Sequence, residues 1–563
     1  MRISWVALLL LMAWASAQAA HAAPPRLEKQ GTTTRLIVQG KPMLILGGEL
    51  GNSSASSSAY LAPHWSRLRQ MHLNTVLAPV YWELIEPEEG RFRWDSVDAL
   101  IESARANDLR LVLLWFGAWK NSMSTYVPAW VKRDQARFPR AQLTNGRSVE
   151  ILSAFSSATL DADSRAFVAL LNHLKTLDAD RNTVLMIQVE NEIGMLPVAR
   201  DYSPEANRLF HEPVPRVLVR KLSAASPDSE LRKLWEKQGG RKEGDWTALF
   251  GEGDAAAEAF TAWHYAQFVE KLVVAGKAAY PLPMYVNTAL NRPGKAPGEY
   301  PSGGPLPHLF EVWKAGAPAL DFLAPDIYFP NFVDLATRYA RPDNPLFIPE
   351  ANNADKTEAA ANAFYAFGKL RTIGISPFAI ESVDDRPSNA LARAYAVLEQ
   401  LSPAILANEG ISGFRPPVAY DGTVNDQPVT EVLGPYRFTV SFIDSQSPEA
   451  EQNIASHGGL ILRVGPEDYL VAGQGMIVTF EPVSELSNPA CGGGERTSAT
   501  PCRPISGPAL SAGIDSDWEG TFDAAGSWVP GRLLNGDQTH QGRHLRLAPG
   551  QFQIQRVRLY RYH

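Results

Sequence analysis

Val184-Leu185-Met186-Ile187-Gln188-Val189-Glu190-Asn191-Glu192-Ile193-Gly194 begins as an unbroken apolar run, turns polar at its end and closes on a glycine. A short, continuously apolar run bounded by a turn suits a strand covered on both faces, as in a parallel sheet. Runs of the same kind recur on either side of it. They span Met43–Gly48, Thr75–Trp82, Arg110–Phe116, Pro283–Asn287, Phe322–Ile327, Leu346–Glu350 and Ile375–Glu381, which with Val184–Glu190 makes eight strands. Amphipathic helices fit between them. Val97, Leu100, Ile101 and Ala104 keep helical spacing after a cap at Asp95, and Phe167, Leu170, Leu171 and Leu174 do the same. Further helices are expected over Ala256–Ala275, Glu358–Leu370 and Ala390–Leu406. Eight strands alternating with helices predict an α/β fold, a (β/α)8 TIM barrel. An open doubly wound sheet is the alternative. It would favour a glycine-rich phosphate loop after the first strand, and Gly47-Gly48-Glu49-Leu50-Gly51 lacks that spacing.

The segment between strand four and its helix, about 195–255, is long and polar, and it is expected as a loop over the barrel mouth that shapes access, with a peripheral insertion the alternative for its distal half. Past about residue 411 the helical period vanishes. Short alternating runs at Tyr436–Ile443, Gly459–Val464, Gly475–Phe480 and Phe552–Tyr560, separated by Pro, Gly, Asn and Asp, predict an antiparallel β-sandwich. The expected division is therefore a leader at 1–22, a barrel at 23–410 and a β-sandwich at 411–563.

A chain of 563 residues exceeds one ordinary core, in keeping with that division. Its formal charge is −7, and no basic run occurs, which argues against nucleic acid and anionic membranes as partners. Arg2, the apolar stretch Trp5–Ala15 and Ala20-His21-Ala22 read as a cleaved export signal, so the mature protein is expected in the periplasm or outside the cell, off the membrane. Cys491 and Cys502 are the two cysteines, and in an exported chain they are expected to pair; two free thiols are the alternative.

In a barrel of this kind the C-terminal strand ends meet at one mouth. Glu192 lies just past strand four and Glu350 ends strand seven, so the topology sets two carboxylates across the mouth from each other. Such a pair suits glycoside hydrolysis, in which one acid protonates the leaving oxygen and the other attacks or activates water. Glu190 is the rival for the first position and Glu381 for the second. Glu49, Asn287 and Asp326 are further candidates from their strand-end positions. Trp115 and Trp119 follow strand three beside Lys120 and Asn121, a pattern that suits a sugar's C–H face and hydroxyl fringe, although Trp is also a common core residue. His540 and His544 have metal-like spacing in a loop, and Asp384-Asp385 are adjacent acids; both pairs read as solvated, so no metal or other cofactor is expected.

The chain resembles the clan A glycoside hydrolases in Asn191-Glu192 and Glu350. Within that clan Gln188–Gly194 resembles the acid/base motif of the family 35 β-galactosidases. Tyr81-Trp82-Glu83, Glu86-Pro87-Glu88-Glu89-Gly90 and Phe92-Arg93-Trp94-Asp95 resemble the same family near strand two. The resemblance implies a retaining exo-glycosidase acting on terminal β-galactosyl groups of plant-type oligo- or polysaccharides. It implies Glu192 as acid/base, Glu350 as nucleophile, Asn191 at the sugar 2-hydroxyl and Tyr328 as a hydrogen-bond partner of the nucleophile. It leaves Glu381 as a binder of a sugar hydroxyl. Ala351-Asn352-Asn353 departs from the family, in which an aromatic residue often follows the nucleophile. Another β-glycoside (glucoside, mannoside or arabinoside) and a non-catalytic carbohydrate-binding barrel are the alternatives.

Overall fold

The structure is a computed structural model that describes residues 23–383, 389–483 and 510–563. The export signal, Asp384-Asp385 and the Cys491–Cys502 pairing lie outside the described residues. Eight parallel strands close into a barrel in sequential order: β1 (Ile45–Glu49), β2 (Thr75–Tyr81), β3 (Arg110–Lys120), β4 (Val184–Asn191), β5 (Met284–Ala289), β6 (Phe322–Ile327), β7 (Ile348–Asn353) and β8 (Gly374–Phe378). The closed ring excludes the open doubly wound sheet. Every residue of β2 and of β4 is buried, because helices cover the outside while side chains fill the inside.

The helix Ser157–Asp178 lays Phe167, Leu170, Leu171 and Leu174 on the barrel wall. Its last residue fixes the start of β4. The buried Asp178 carboxylate accepts from Thr183 N at 3.0 Å and Val184 N at 2.7 Å, and pairs with Arg105 at 2.6 Å.

Two strand ends differ from expectation. β3 runs on through Lys120, four residues past the expected end, and its register with β4 breaks between Trp115 and Lys120. β8 stops at Phe378; Ala379, at φ 55°, turns the chain into a short 3₁₀ segment that carries Glu381. The 195–255 segment is not a loop. It holds four short helices, Pro204–Phe210, Arg216–Ala224, Glu230–Lys237 and Trp246–Phe250. Ser203, Ser229 and Asp245 cap three of them with side-chain oxygens, and Leu218, Leu222, Leu231 and Trp235 form their buried faces. Short amphipathic turns amid many charges hid this period.

After the last barrel helix, Ala390–Ala407, the described residues form two antiparallel sheets of six and four strands. One face of the six-stranded sheet, with Leu460, Leu462, Leu470, Ala472 and Ile554, joins the barrel's apolar core. The other, with Ile461, Tyr469, Val471, Val557 and Leu559, packs with Phe438, Val440, Val478 and Leu545 of the second sheet. This is the expected sandwich, one face of which also buttresses the barrel. The close approach needs glycine: a Cβ on Gly413 would lie 2.7 Å from the carbonyl oxygen of Phe364 in the helix Glu358–Gly368. An N-terminal three-stranded sheet, Arg26–Gln30, Thr33–Val38 and Lys41–Met43, was not expected. No helix among the described residues is long and apolar enough to cross a membrane.

Candidate active site

The end of β4 is shaped by backbone that ordinary strands avoid. Glu190 sits at φ 60° and Glu192 at φ 44°, in the left-handed region, as do Asn121 and Ser122 beyond β3. Each such non-glycine residue costs on the order of 1–2 kcal/mol, so the surroundings must hold it. The two strand ends hold each other: Asn121 N donates to Asn191 O at 3.2 Å, and Ser122 N to Glu192 O at 3.1 Å.

This twist also separates the two acids of the motif, which simple alternation places on one side. Glu192 turns into the mouth. Glu190 turns away, toward Asp163 on the helix Ser157–Asp178. The register break in β3 frees backbone N–H groups inside the wall, and these two acids collect them. Glu190 Oε2 accepts from Trp119 N at 2.7 Å. Asp163 accepts from Ala118 N at 3.2 Å and from the Trp115 indole at 2.9 Å. Burial, then the neighbouring carboxyl, pushes Glu190 well above the usual carboxylate range, and burial raises Asp163 to about 6, so the pair holds a proton between them. Glu190→Gln keeps an acceptor for Trp119 N and a donor toward Asp163, and is expected to leave stability within about 1 kcal/mol. Glu190→Ala strands a buried N–H and is expected to cost about 3 kcal/mol. Urea denaturation of the two variants checks the difference.

Trp115 and Trp119 are therefore wall residues, which corrects their expected place beneath a sugar. Both are fully buried. Trp115 lies against Trp82 and Phe167, and Trp119 against Tyr265 and Phe268, with its indole donating to Leu152 O. Trp115 lies in the regular register of β3 and Trp119 past its last regular pair, and both indoles pack outward against helices.

Inside the mouth the structure brings together Glu49, Lys120, Asn121, Asn191, Glu192, Asn287, Asp326, Tyr328 and Glu350. Glu192, Asp326 and Glu350 each set one carboxylate oxygen within 4.8 Å of the others. Tyr328 Oη donates to Glu350 at 2.7 Å, and Asn191 Nδ2 reaches the other Glu350 oxygen at 3.5 Å. Lys120 Nζ donates to Asn191 Oδ1 at 2.8 Å, orienting that amide. Asn121 donates to Glu192. Asn287 accepts from Glu192 N at 3.0 Å and donates to Asp326 at 2.7 Å. Glu49 is fully buried with its carboxyl against that of Glu350, and among the described residues no other donor reaches its oxygens.

Four buried acids share one nearby lysine, so they cannot all be charged. Burial, then the Glu350 charge, raises Glu192 to about 7, with Lys120 opposing. The same two causes hold Glu49 and Asp326 well above the carboxylate range. Burial and Glu350 also push the Tyr328 phenol far up, so it keeps the proton that it donates. The trio Glu192, Asp326 and Glu350 has the spacing of a cation site, yet each accepts a hydrogen bond from a neighbouring N–H or O–H. Those donors and the Lys120 ammonium suit proton chemistry better than a divalent ion, which asks for oxygens turned inward.

Glu381 is engaged at the turn after β1, a correction to its reading as a strand-end acid. Its carboxylate accepts from Gly51 N at 2.9 Å and from Ser54 Oγ, fastening the turn after β1. β8 ends at Phe378, so Glu381 sits in the 3₁₀ segment Ile380–Ser382 and not at a strand end. His540 and His544 lie 5.6 Å apart with no acid completing a metal set among the described residues.

Residues 57–223 match the family model described as Beta-galactosidase (Glyco_hydro_42), and residues 391–546 match a Domain of unknown function (DUF5597). A curated Beta-galactosidase of Xanthomonas manihotis is 29% identical over 195 residues, 33% of this chain and 29% of that protein. Among solved structures, the beta-galactosidase of the psychrophilic Marinomonas ef1 is 12% identical with a TM-score of 0.45, over 64% of this chain and 60% of that one. A GH42 beta-galactosidase from G. stearothermophilus is 15% identical with a TM-score of 0.45, over 64% and 57%. The chain thus spans under a third of the curated relative's length. Over residues 57–223 the chain matches the beta-galactosidase family, and the model that matches is family 42's, so the expected family 35 assignment is not supported.

Proposed function

We propose that the protein is an exo-acting, retaining glycosidase that removes terminal β-galactosyl groups, with plant-type oligo- or polysaccharides as its substrates. The observation that carries this reading is the approach of Glu192 and Glu350, within 4.8 Å at their nearest oxygens. Double displacement needs carboxyl groups about 5 Å apart, whereas inversion needs roughly 6.5–9.5 Å to admit water. Glu350 attacks the anomeric carbon while Glu192 gives its proton to the leaving oxygen. Water, deprotonated by Glu192, then releases the sugar. Tyr328 and Asn191 aim Glu350, and Asn191 meets the sugar 2-hydroxyl. Lys120, Asn121, Glu49, Asn287 and Asp326 complete the wall around the sugar, and no step calls for a cofactor. The beta-galactosidase match over residues 57–223 supports the sugar class. The burial of Glu49, Asn191, Glu192, Asp326 and Glu350 supports a closed pocket that takes a chain end.

Trapping tests this reading. A 2-deoxy-2-fluoro-β-galactosyl fluoride forms a glycosyl-enzyme that hydrolyses slowly, and peptide mass spectrometry then locates the label. Label on Glu350 is the expected result; label on another acid, or none with the gluco or manno analogue reacting instead, overturns the nucleophile or the sugar. Residues 2–22 support export to the periplasm or beyond, and Cys491 and Cys502 support a disulfide in that setting. Periplasmic fractionation with N-terminal sequencing tests the first, and thiol titration the second.

A further inference from the structure

An aromatic line leads outward from the nucleophile to a segment that the barrel does not supply. Tyr328 donates to Glu350 and sets its ring edge toward Phe378, yet remains 39% exposed. The next residue, Phe329, is half-buried and meets the ring of Tyr420, with centroids 5.2 Å apart. Tyr420 is 41% exposed and belongs to the connection between the sandwich strands Ile411–Phe414 and Val429–Leu433.

That connection is built to present Tyr420. Val418 and Val424 pair as an antiparallel bridge. Ala419 N donates to Thr423 O at 2.8 Å, Gly422 N to Ala419 O at 3.0 Å and Asn425 N to Pro417 O at 2.8 Å. Asp421 Oδ1 accepts from Thr423 N at 2.9 Å. Gly422, at φ 89°, makes the turn in a conformation that a side chain would resist. The result is a small hairpin whose tip is an exposed tyrosine laid toward the barrel rim. Two exposed tyrosines thus flank Phe329, Tyr420 through its ring and Tyr328 as its neighbour in the chain, and Tyr328 reaches Glu350 of the acid pocket. Sugars offer C–H faces that stack on such rings while their hydroxyls stay in water.

We infer that Tyr420 and Phe329 form a platform for the first sugar on the leaving-group side of an oligosaccharide substrate. The inference rests on the glycosidase reading. The closed acid pocket takes the terminal sugar, so the remainder of the chain leaves outward past the rim that carries Tyr328, Phe329 and Tyr420. The sandwich then contributes to substrate choice and not only to support.

The test compares Tyr420→Ala, Tyr420→Phe and wild type on β-galactosyl fluoride, which has no leaving sugar, and on a β-1,4-linked galactotetraose. The expected result for Tyr420→Ala is a roughly tenfold rise in KM for the tetraose with fluoride turnover within twofold. Tyr420→Phe keeps the ring and is expected to restore the wild-type KM. An equal loss on both substrates, with a lowered melting temperature, makes the hairpin a structural brace and overturns the platform. Unchanged kinetics on both overturns it as well. If wild type turns over neither substrate, the catalytic reading fails. Calorimetric titration of the tetraose into wild type and Tyr420→Ala then decides the platform, equal affinities or absent binding being the contrary result.

Discussion

Glu350→Gln is expected to lower kcat by about 10⁴-fold or more on any β-galactoside while leaving a folded protein. A glutamine amide cannot form the glycosyl ester, so the substitution removes the step and does not merely slow it. The surroundings make the loss clean. Tyr328 Oη and Asn191 Nδ2 are fixed on the Glu350 oxygens, and an amide of the same shape keeps the packing. Stability is expected to hold or rise. Glu350 is the largest neighbouring charge acting on Glu49, Glu192 and Asp326, and neutralising it relieves repulsion among buried acids. A thermal melt beside steady-state kinetics checks both halves. A smaller variant, Glu350→Ala, supplied with azide, is expected to yield the α-galactosyl azide, since the anion enters from the vacated face. Loss of folding together with activity would contradict the assignment, because a positioning role predicts that outcome.

Glu192→Gln is expected to cost about 10²–10⁴ in rate, with the larger loss on substrates whose leaving group needs a proton. Its pH signature is the sharper test. The free protein holds Glu192 at about 7, so the acid form dominates below that pH and is lost above it. Wild-type kcat/KM for a poor leaving group is therefore expected to fall tenfold per pH unit on the alkaline side of about 7. In Glu192→Gln that limb disappears, because the amide does not titrate. With a dinitrophenyl leaving group the first step proceeds without a proton. The variant then accumulates glycosyl-enzyme, which azide releases as the β-galactosyl azide. An alkaline limb that persists in Glu192→Gln would assign the titration to another group of the cluster, with Asp326 the first to examine.

The barrel and both acids were legible because they rest on features with long sequence range. Eight apolar runs alternating with helical segments point to a closed parallel sheet, and strand ends map to the mouth by topology alone. Position at or just past a strand end also singled out Lys120, Asn121, Asn287, Asp326 and Glu49, and the family resemblance Asn191 and Tyr328, all of which the structure gathers in one pocket. What stayed hidden depends on local backbone geometry. Alternation along β4 cannot reveal that Glu190 and Glu192 both adopt positive φ, and it therefore cannot show that Glu190 faces Asp163 behind the wall. The β3 register break, within which Trp119 packs outward, has only Gly117 as a signal. A Cβ there would lie 2.7 Å from Glu190 and 2.8 Å from Asp163. Asp163 went unnoticed because a single acid on an amphipathic helix reads as a solvated residue. Tyr420 was equally silent: its neighbour Phe329 stands 91 positions away in the chain, and only the packing of the sandwich on the barrel joins them.

The account turns on double displacement by Glu350 and Glu192, and the anomer first released reports it most directly. Proton NMR of the protein acting on an aryl β-galactoside, read before mutarotation, is predicted to show β-galactose appearing first. α-Galactose appearing first would mean single displacement by water and would contradict the role given to Glu350 and the reading of the short carboxylate separation.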